Sequence, residues 1–445
     1  MKNIFQFIRD KSIKYKTRIP NIQFTIANSF AMLTSFFLIP VILDTYGIIF
    51  LGIFSLIGSL NAIIPLLDLG FCNALSNAIS RSTKLPLVNN HENKIRLNFL
   101  LFPGVFFIFI GGIALLKVTT LYDLFDGILS VRDLRALIIL MTANSIMLIV
   151  FNVAHKIRLA LNEFRLASLI LMINSLVILF SSTAIMILNY DFYVFIYIYI
   201  LSSWVTNLIF LPRALTALKK ANHTSSSGSI KISSRLGYLP GASTFFAIQL
   251  TSIIAYQLDN FIVARYFSVA DVAIYSTALK FVSFPIAILA SYSLPLWTHT
   301  SLGLFGSNKR EIFNNLGKIV KVRILFIGPF CILLFMILPA VIKVWSAETI
   351  ILPPFLAMWL ILWMATSVVT QPVAMVTNGM FYQKFILVSG VAGALVNFLV
   401  SIVLCMNFNL VAGPIIGNIT SQVITSLIPF LFLRKKIRKS LDSNL

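Results

Sequence analysis

Acidic side chains are scarce in this chain of 445 residues: 14 Asp and Glu stand against 35 Lys and Arg. Charged residues of both signs make up 11% of it, against about 25% in an ordinary soluble domain. A water-soluble protein of this size could not solvate its surface with so few charges, so that class is excluded. Cysteine is equally rare. Cys72, Cys331 and Cys405 lie far apart, in or beside apolar segments, which excludes a disulfide framework and a zinc cluster. There is no GxxxxGK[ST] phosphate loop and no HExxH, and His91, His155, His223 and His299 are scattered. ATP hydrolysis on this chain is therefore excluded, and neither a cofactor nor a metal is expected. No large loop gathers the carboxylates or basic groups that a membrane glycosyltransferase or polymerase needs. The absence argues for a carrier and against an enzyme.

What is present is apolar: 58% of the residues are hydrophobic. One transmembrane helix takes about 20 such residues. Apolar runs place twelve spans at 22–43, 48–68, 97–117, 135–154, 166–188, 192–212, 238–261, 270–296, 322–342, 355–378, 385–405 and 411–432. Several hold proline, among them Pro40, Pro329 and Pro372, which kinks a helix but is tolerated within a bundle. The expected fold class is an all-α membrane protein with about twelve transmembrane helices.

The net charge of +21 reads as topology, not as nucleic-acid binding, because the cations sit in short loops between apolar runs. On this span map 29 of the 35 Lys and Arg fall on one side. They include Lys2 to Arg18 in the first tail, Arg81 to Arg96, Lys156 to Arg165, Lys309 to Arg323, and Arg434 to Lys439. Five fall on the other side. One missed span would scramble every later loop, so both termini are expected to be cytoplasmic. No cleavable export signal is expected in the basic first 20 residues.

The longest polar segment, about 213–235, contains Ser225-Ser226-Ser227-Gly228-Ser229 and reads as a flexible linker. The expected organisation is a first six-span lobe over 1–221, a linker over 222–235 and a second six-span lobe over 236–445. Six spans return the chain to its starting side, so both lobes enter the membrane alike. They would be related by an axis along the membrane normal, with a substrate site between them. Gly52-Ile53-Phe54-Ser55 and Ala273-Ile274-Tyr275-Ser276 hold equivalent places in the two lobes.

Ionisable groups inside spans are rare and functional by default. Lys280 lies about ten residues into the eighth span, or about 15 Å, too deep to snorkel easily; it is the candidate cavity cation. Asp259 ends the seventh span, where it either pairs with Lys280 or caps a helix end. Asp68 near the inner end of the second span is followed by Asn73, Asn77 and Arg81 at every fourth residue. That is one polar stripe, or an ordinary amphipathic helix end. Asn28, Asn61 and Gln249 add polarity within spans, where such residues more often join helices than bind ligands.

These residues also carry a family resemblance. Asp44-Thr45-Tyr46-Gly47, Gly52-Ile53-Phe54-Ser55-Leu56 and Leu67-Asp68-Leu69-Gly70-Phe71 with Asn73-Ala74 resemble the amino-terminal pattern of bacterial polysaccharide flippases. Asp259-Asn260-Phe261-Ile262-Val263 followed by Ala273 through Lys280 is similar to their second-half pattern. Ala264 and Ala273 depart from it, standing where the family commonly has glycine. The resemblance spans essentially the whole chain. It points to the polysaccharide transporter branch of the multidrug/oligosaccharidyl-lipid/polysaccharide exporter superfamily, and within it to O-antigen (Wzx-type) flippases.

It implies a V-shaped bundle that rocks to expose a cationic cavity to each side of the bacterial inner membrane. The implied substrate is an undecaprenyl-diphosphate-linked oligosaccharide used in O-antigen, lipopolysaccharide or related surface polysaccharide synthesis. The lipid bilayer, a polysaccharide polymerase and a chain-length regulator are the implied partners. Lys280, Asp259, Asn61, Gln249 and Asn28 are then the candidate substrate contacts. Asp68, Asn73, Asn77 and Arg81 are candidates for ion coupling or gating. The rival readings are a multidrug/ion antiporter of the same superfamily, which should bury a carboxylate for cationic drugs, and a membrane-embedded polysaccharide polymerase.

Overall fold

A computed structural model describes residues 18–64, 108–119, 122, 128–161, 163–223, 239–303, 309–379 and 383–431. These residues are helical almost throughout, with no strand among them. The first lobe contains α1 (Arg18–Tyr46), α2 (Ile48–Ile63), a helical stretch at 108–116, α3 (Val131–Ala160), α4 (Phe164–Ile187) and α5 (Phe192–His223). The second contains α6 (Leu239–Tyr256), α7 (Asp259–Tyr266), α8 (Val269–Gly303), α9 (Lys309–Trp345), α10 (Pro354–Gly379), α11 (Gln383–Phe408) and α12 (Gly413–Gln422). A π turn at Val423–Leu427 carries α12 onward.

Local chemistry sets the helix ends. Gly47 joins α1 to α2 with φ of 85°, a left-handed conformation that costs glycine little. At the start of α8, Ser268 Oγ accepts from the Asp271 N–H and Asp271 Oδ2 accepts from the Ser268 N–H, each at 3.1 Å. Two otherwise orphaned donors are thus satisfied reciprocally. Ser130 Oγ accepts from the Asp133 N–H at 3.1 Å to begin α3.

Eight of the described helices are long and apolar enough to cross a membrane, and Met32–Tyr46 and Ile48–Ile63 are shorter apolar stretches. The chain is a multi-pass membrane protein. Its outward surface is what lipid requires: α9 exposes Ile324, Leu325, Phe326, Ile332, Leu333 and Met336. Within the first lobe α1 packs on α4, α4 on α5 and α5 on α3; within the second α8 packs on α10, α6 on α11 and α11 on α12.

The lobes meet where α2 lies against α8. Both helices begin at the end of the bundle remote from Arg18, and the contact lies in their first halves. A Cβ at Gly52 would sit 2.0 Å from the Val269 carbonyl oxygen, so only glycine permits this approach. Beside the contact, Phe36 of α1 meets Phe281 of α8 edge-on at 4.4 Å between ring centroids and Trp345 of α9 at 5.4 Å.

The helices outrun several of the expected spans. The seventh span, expected unbroken over 238–261, divides at Gln257 and Leu258 into α6 and α7. The expected loop between the eighth and ninth spans shrinks, since α8 reaches Gly303 and α9 begins at Lys309. Arg158 therefore lies in a helix and not in a loop, and Arg323, at the very start of the expected ninth span, lies well inside α9. Hydropathy marks only the apolar middle of a helix, while Lys and Arg are good helix formers and extend it beyond that middle. Of the expected third span only 108–117 falls within the described residues, and most of the 222–235 linker falls outside them.

Candidate functional site

One polar assembly lies at the seam and another inside the second lobe. At the seam, the Ser276 hydroxyl donates to Ser55 Oγ at 2.7 Å. One turn further along α2, Ser59 Oγ accepts from Asn260 Nδ2 at 2.8 Å. One turn beyond Ser276 on α8 stands Lys280, whose Nζ lies 5.8 Å from the centre of the Phe54 ring. The lysine thus faces α2 across the seam. It forms no ion pair with any described residue. The negative face of an aromatic ring attracts an ammonium only weakly.

Asp259 is turned the other way. It begins α7 and is 4% exposed. Its Oδ2 accepts from Tyr275 OH at 2.9 Å and from Asn418 Nδ2 at 2.6 Å. Asn418 Oδ1 accepts from Asn397 Nδ2 at 2.8 Å, and Asn397 Oδ1 accepts from Ser401 Oγ at 3.0 Å. Asn397 Nδ2 also donates to the Ala255 carbonyl at 2.6 Å, a group left exposed because α6 stops at Tyr256. The network ties α6, α7, α8, α11 and α12 together. A Cβ at Gly417 would lie 2.4 Å from Ser401 Oγ and 2.8 Å from the Asn397 carbonyl oxygen, so a small residue lets α12 approach α11 here.

The alternative in which Asp259 pairs with Lys280 is not realised: Tyr275 and Asn418 hold the carboxylate. Asn61 accepts from Asn144 Nδ2 at 2.7 Å within the first lobe. Gln249 is buried on α6. Asn28 lies on α1, but its side chain is outside the described residues, as are Asp68, Asn73, Asn77 and Arg81. The structure adds Ser55, Ser59, Tyr275, Ser276 and Asn418, and gives Asn397, visible in the sequence as a polar residue within a span, its partners. A serine or asparagine in an apolar run carries no sequence signal of its partner, but the Ser55 and Ser276 positions were legible as the last residues of two equivalent tetrapeptides.

The second lobe holds one more deep cation. Arg323 donates from Nη1 to the Val368 carbonyl at 2.7 Å and from Nη2 to Ser293 Oγ at 2.6 Å and the Leu289 carbonyl at 3.3 Å. Val368 is the residue whose helical partner would be Pro372, which has no N–H. The guanidinium replaces that missing donor.

Comparison with solved structures identifies this architecture. An inward-facing multidrug resistance MATE family transporter of the MOP superfamily superposes with a TM-score of 0.67 at 15% identity, covering 95% of this chain and 96% of that one. The chain shares the fold of that transporter. The lipid II flippase MurJ in an inward closed conformation matches with a TM-score of 0.69 at 13% identity, over 93% of this chain and 87% of that one. A MATE transporter of Vibrio cholerae gives 0.62 at 13% identity, over 94% and 97%. The two-lobe, twelve-helix architecture expected from the sequence is therefore present. Residues 231–349 match the family described as polysaccharide biosynthesis protein, a segment that contains Asp259, Lys280 and Arg323. No curated protein matches this chain.

Proposed function

We propose that this chain is a flippase. It carries undecaprenyl-diphosphate-linked oligosaccharide repeat units across the bacterial inner membrane by alternating access, for O-antigen or a related surface polysaccharide. The observation that carries this reading is Lys280, a lysine deep in the bundle that faces the opposite lobe and has no acidic partner among the described residues. A buried ammonium is costly unless something negative meets it, and a lipid-linked diphosphate is negative. Its headgroup cannot enter hydrocarbon unaided, while its tail can stay in the bilayer. The match to polysaccharide biosynthesis proteins over 231–349 supports the same substrate class. With both termini cytoplasmic, as the cation distribution predicts, the seam between α2 and α8 would lie toward the outer side.

Deleting the gene should strand lipid-linked repeat units in the cytoplasmic leaflet and abolish surface polymer. Complementation with Lys280→Ala should fail at normal protein level, and Lys280→Arg should restore part of the export. Normal surface polymer in the deletion strain, with no second transporter present, would sink the reading.

A second reading is favoured by Asp259. It is a buried carboxylate whose Oδ1 has no hydrogen-bond partner among the described residues, which suits a multidrug/ion antiporter. In the flippase reading the same group is, with Asp68, a candidate coupling carboxylate. The two separate by drug tolerance: an antiporter deletion sensitises cells to cationic drugs and leaves surface polysaccharide intact.

A further inference from the structure

We propose that Asn61, Asn144 and Trp204 form a sugar-binding subsite in the first lobe, beside the place where Lys280 meets the diphosphate. The inference rests on the flippase reading and adds which residues recognise the glycan.

Four observations place the subsite. First, the three side chains form a hydrogen-bonded row from three helices: Trp204 Nε1 donates to Asn144 Oδ1 at 2.8 Å and Asn144 Nδ2 donates to Asn61 Oδ1 at 2.7 Å. The row fixes the indole edge and orients the Asn61 amide so that its nitrogen donates to no described residue. Second, Asn61 and Trp204 are only half-buried, although both sit within apolar spans.

Third, α5 divides by face. Leu201, Val205, Leu208 and Ile209 are exposed on its lipid side. Tyr199, Ser203 and Asn207, spaced by four, form a half-buried polar stripe on the opposite side, and Trp204 lies between the two faces, turned toward Asn144 of α3. Fourth, a Cβ at Gly58 would meet nothing within 4 Å. Phe54, Gly58 and Asn61 share one face of α2, with the open space at Gly58 lying between the buried Phe54 ring and the half-buried Asn61. Lys280 stands at its Phe54 end and the amide–indole row at its Asn61 end. Seven residues of helix separate the two ends by roughly 10 Å, which suits a diphosphate followed by its first sugars.

The chemistry fits a carbohydrate. A pyranose has one C–H face that lies against an aromatic ring and a rim of hydroxyls that both donate and accept. An indole held at its edge offers the ring, and Asn61 offers two donors. Apolar and aromatic walls with a few convergent polar groups are the usual make-up of a small-molecule site.

The test uses the full purified chain in nanodiscs and two probes, undecaprenyl diphosphate and undecaprenyl diphosphate bearing N-acetylglucosamine or galactose. The native protein should bind a glycosylated probe at least ten-fold more tightly than the bare lipid. Trp204→Ala should abolish that ratio with the bare-lipid affinity unchanged. Gly58→Leu fills the open space without touching a described contact; it should lose the ratio too, and it guards against misfolding of the Trp204 variant. Lys280→Ala should weaken both probes equally. A native protein that binds all probes alike, or a Trp204→Ala variant that keeps the ratio, would overturn the subsite and leave the flippase reading standing. If the bare lipid does not bind, or Lys280→Ala changes nothing, the flippase reading itself fails.

Discussion

Ser55 and Ser276 are 221 residues apart and joined hydroxyl to hydroxyl at 2.7 Å. Each is the last residue of one of the two similar tetrapeptides, so the bond joins corresponding positions of α2 and α8. To open the seam, a transporter of this architecture must break it. A Ser55→Cys/Ser276→Cys pair should form a disulfide under mild oxidation and trap the seam closed. Transport in the pair should fall at least ten-fold with oxidant and recover with reductant, while each single variant remains active. Unaltered transport in fully cross-linked protein would mean that the seam does not open.

Gly52 tests the same seam from the other direction. Its Cβ would collide with the Val269 backbone, and backbone cannot step aside as a side chain can. Gly52→Val should hold the lobes apart without unfolding either. In membranes, a thiol probe should label Ser276→Cys faster in the Gly52→Val background than in the parent. Equal labelling rates would show that the close approach is dispensable.

Arg323 and Pro372 should behave as a coupled pair. Arg323→Leu leaves the Val368 carbonyl without a donor and should cost about 1–3 kcal/mol of stability. Pro372→Ala restores a backbone N–H to that carbonyl, so the double variant should regain thermal stability lost in Arg323→Leu alone. Additive losses in the double variant would contradict the assignment.

Asp259 offers a separation of charge from structure. Tyr275 and Asn418 both donate to the same oxygen, Oδ2. An asparagine carbonyl in that place keeps both bonds, so Asp259→Asn should melt close to the native protein while losing ion-coupled transport. Asp259→Ala orphans two buried donors, each worth about 1–3 kcal/mol, and should melt lower. Because Asp259 and Lys280 are held by different partners, the stability losses of Asp259→Ala and Lys280→Ala should add.

The orientation of the chain is checked independently. A reporter active only outside the cytoplasm should be active when inserted within 122–130 and silent when fused at residue 445. The opposite pattern would reverse the topology and place the closed seam inside.

The sequence by itself determined the class of this protein, because hydropathy and charge act residue by residue. Apolar runs of span length must enter lipid, and the uneven cations predict how they thread. Lys280 was legible for the same reason: a charge inside an apolar run is visible wherever its partners lie. The ends of helices were not, since Arg158 and Arg323 counted as loop cations although α3 and α9 contain them, and there the carbonyls of Phe210 and Val368 take up their donors. Tertiary structure alone decided which polar side chains meet. Asn61 finds Asn144, 83 residues away, and Asp259 finds Asn418, 159 residues away. A short polar side chain acquires its function from what faces it, and in a bundle that is set by how the lobes pack, not by spacing along the chain.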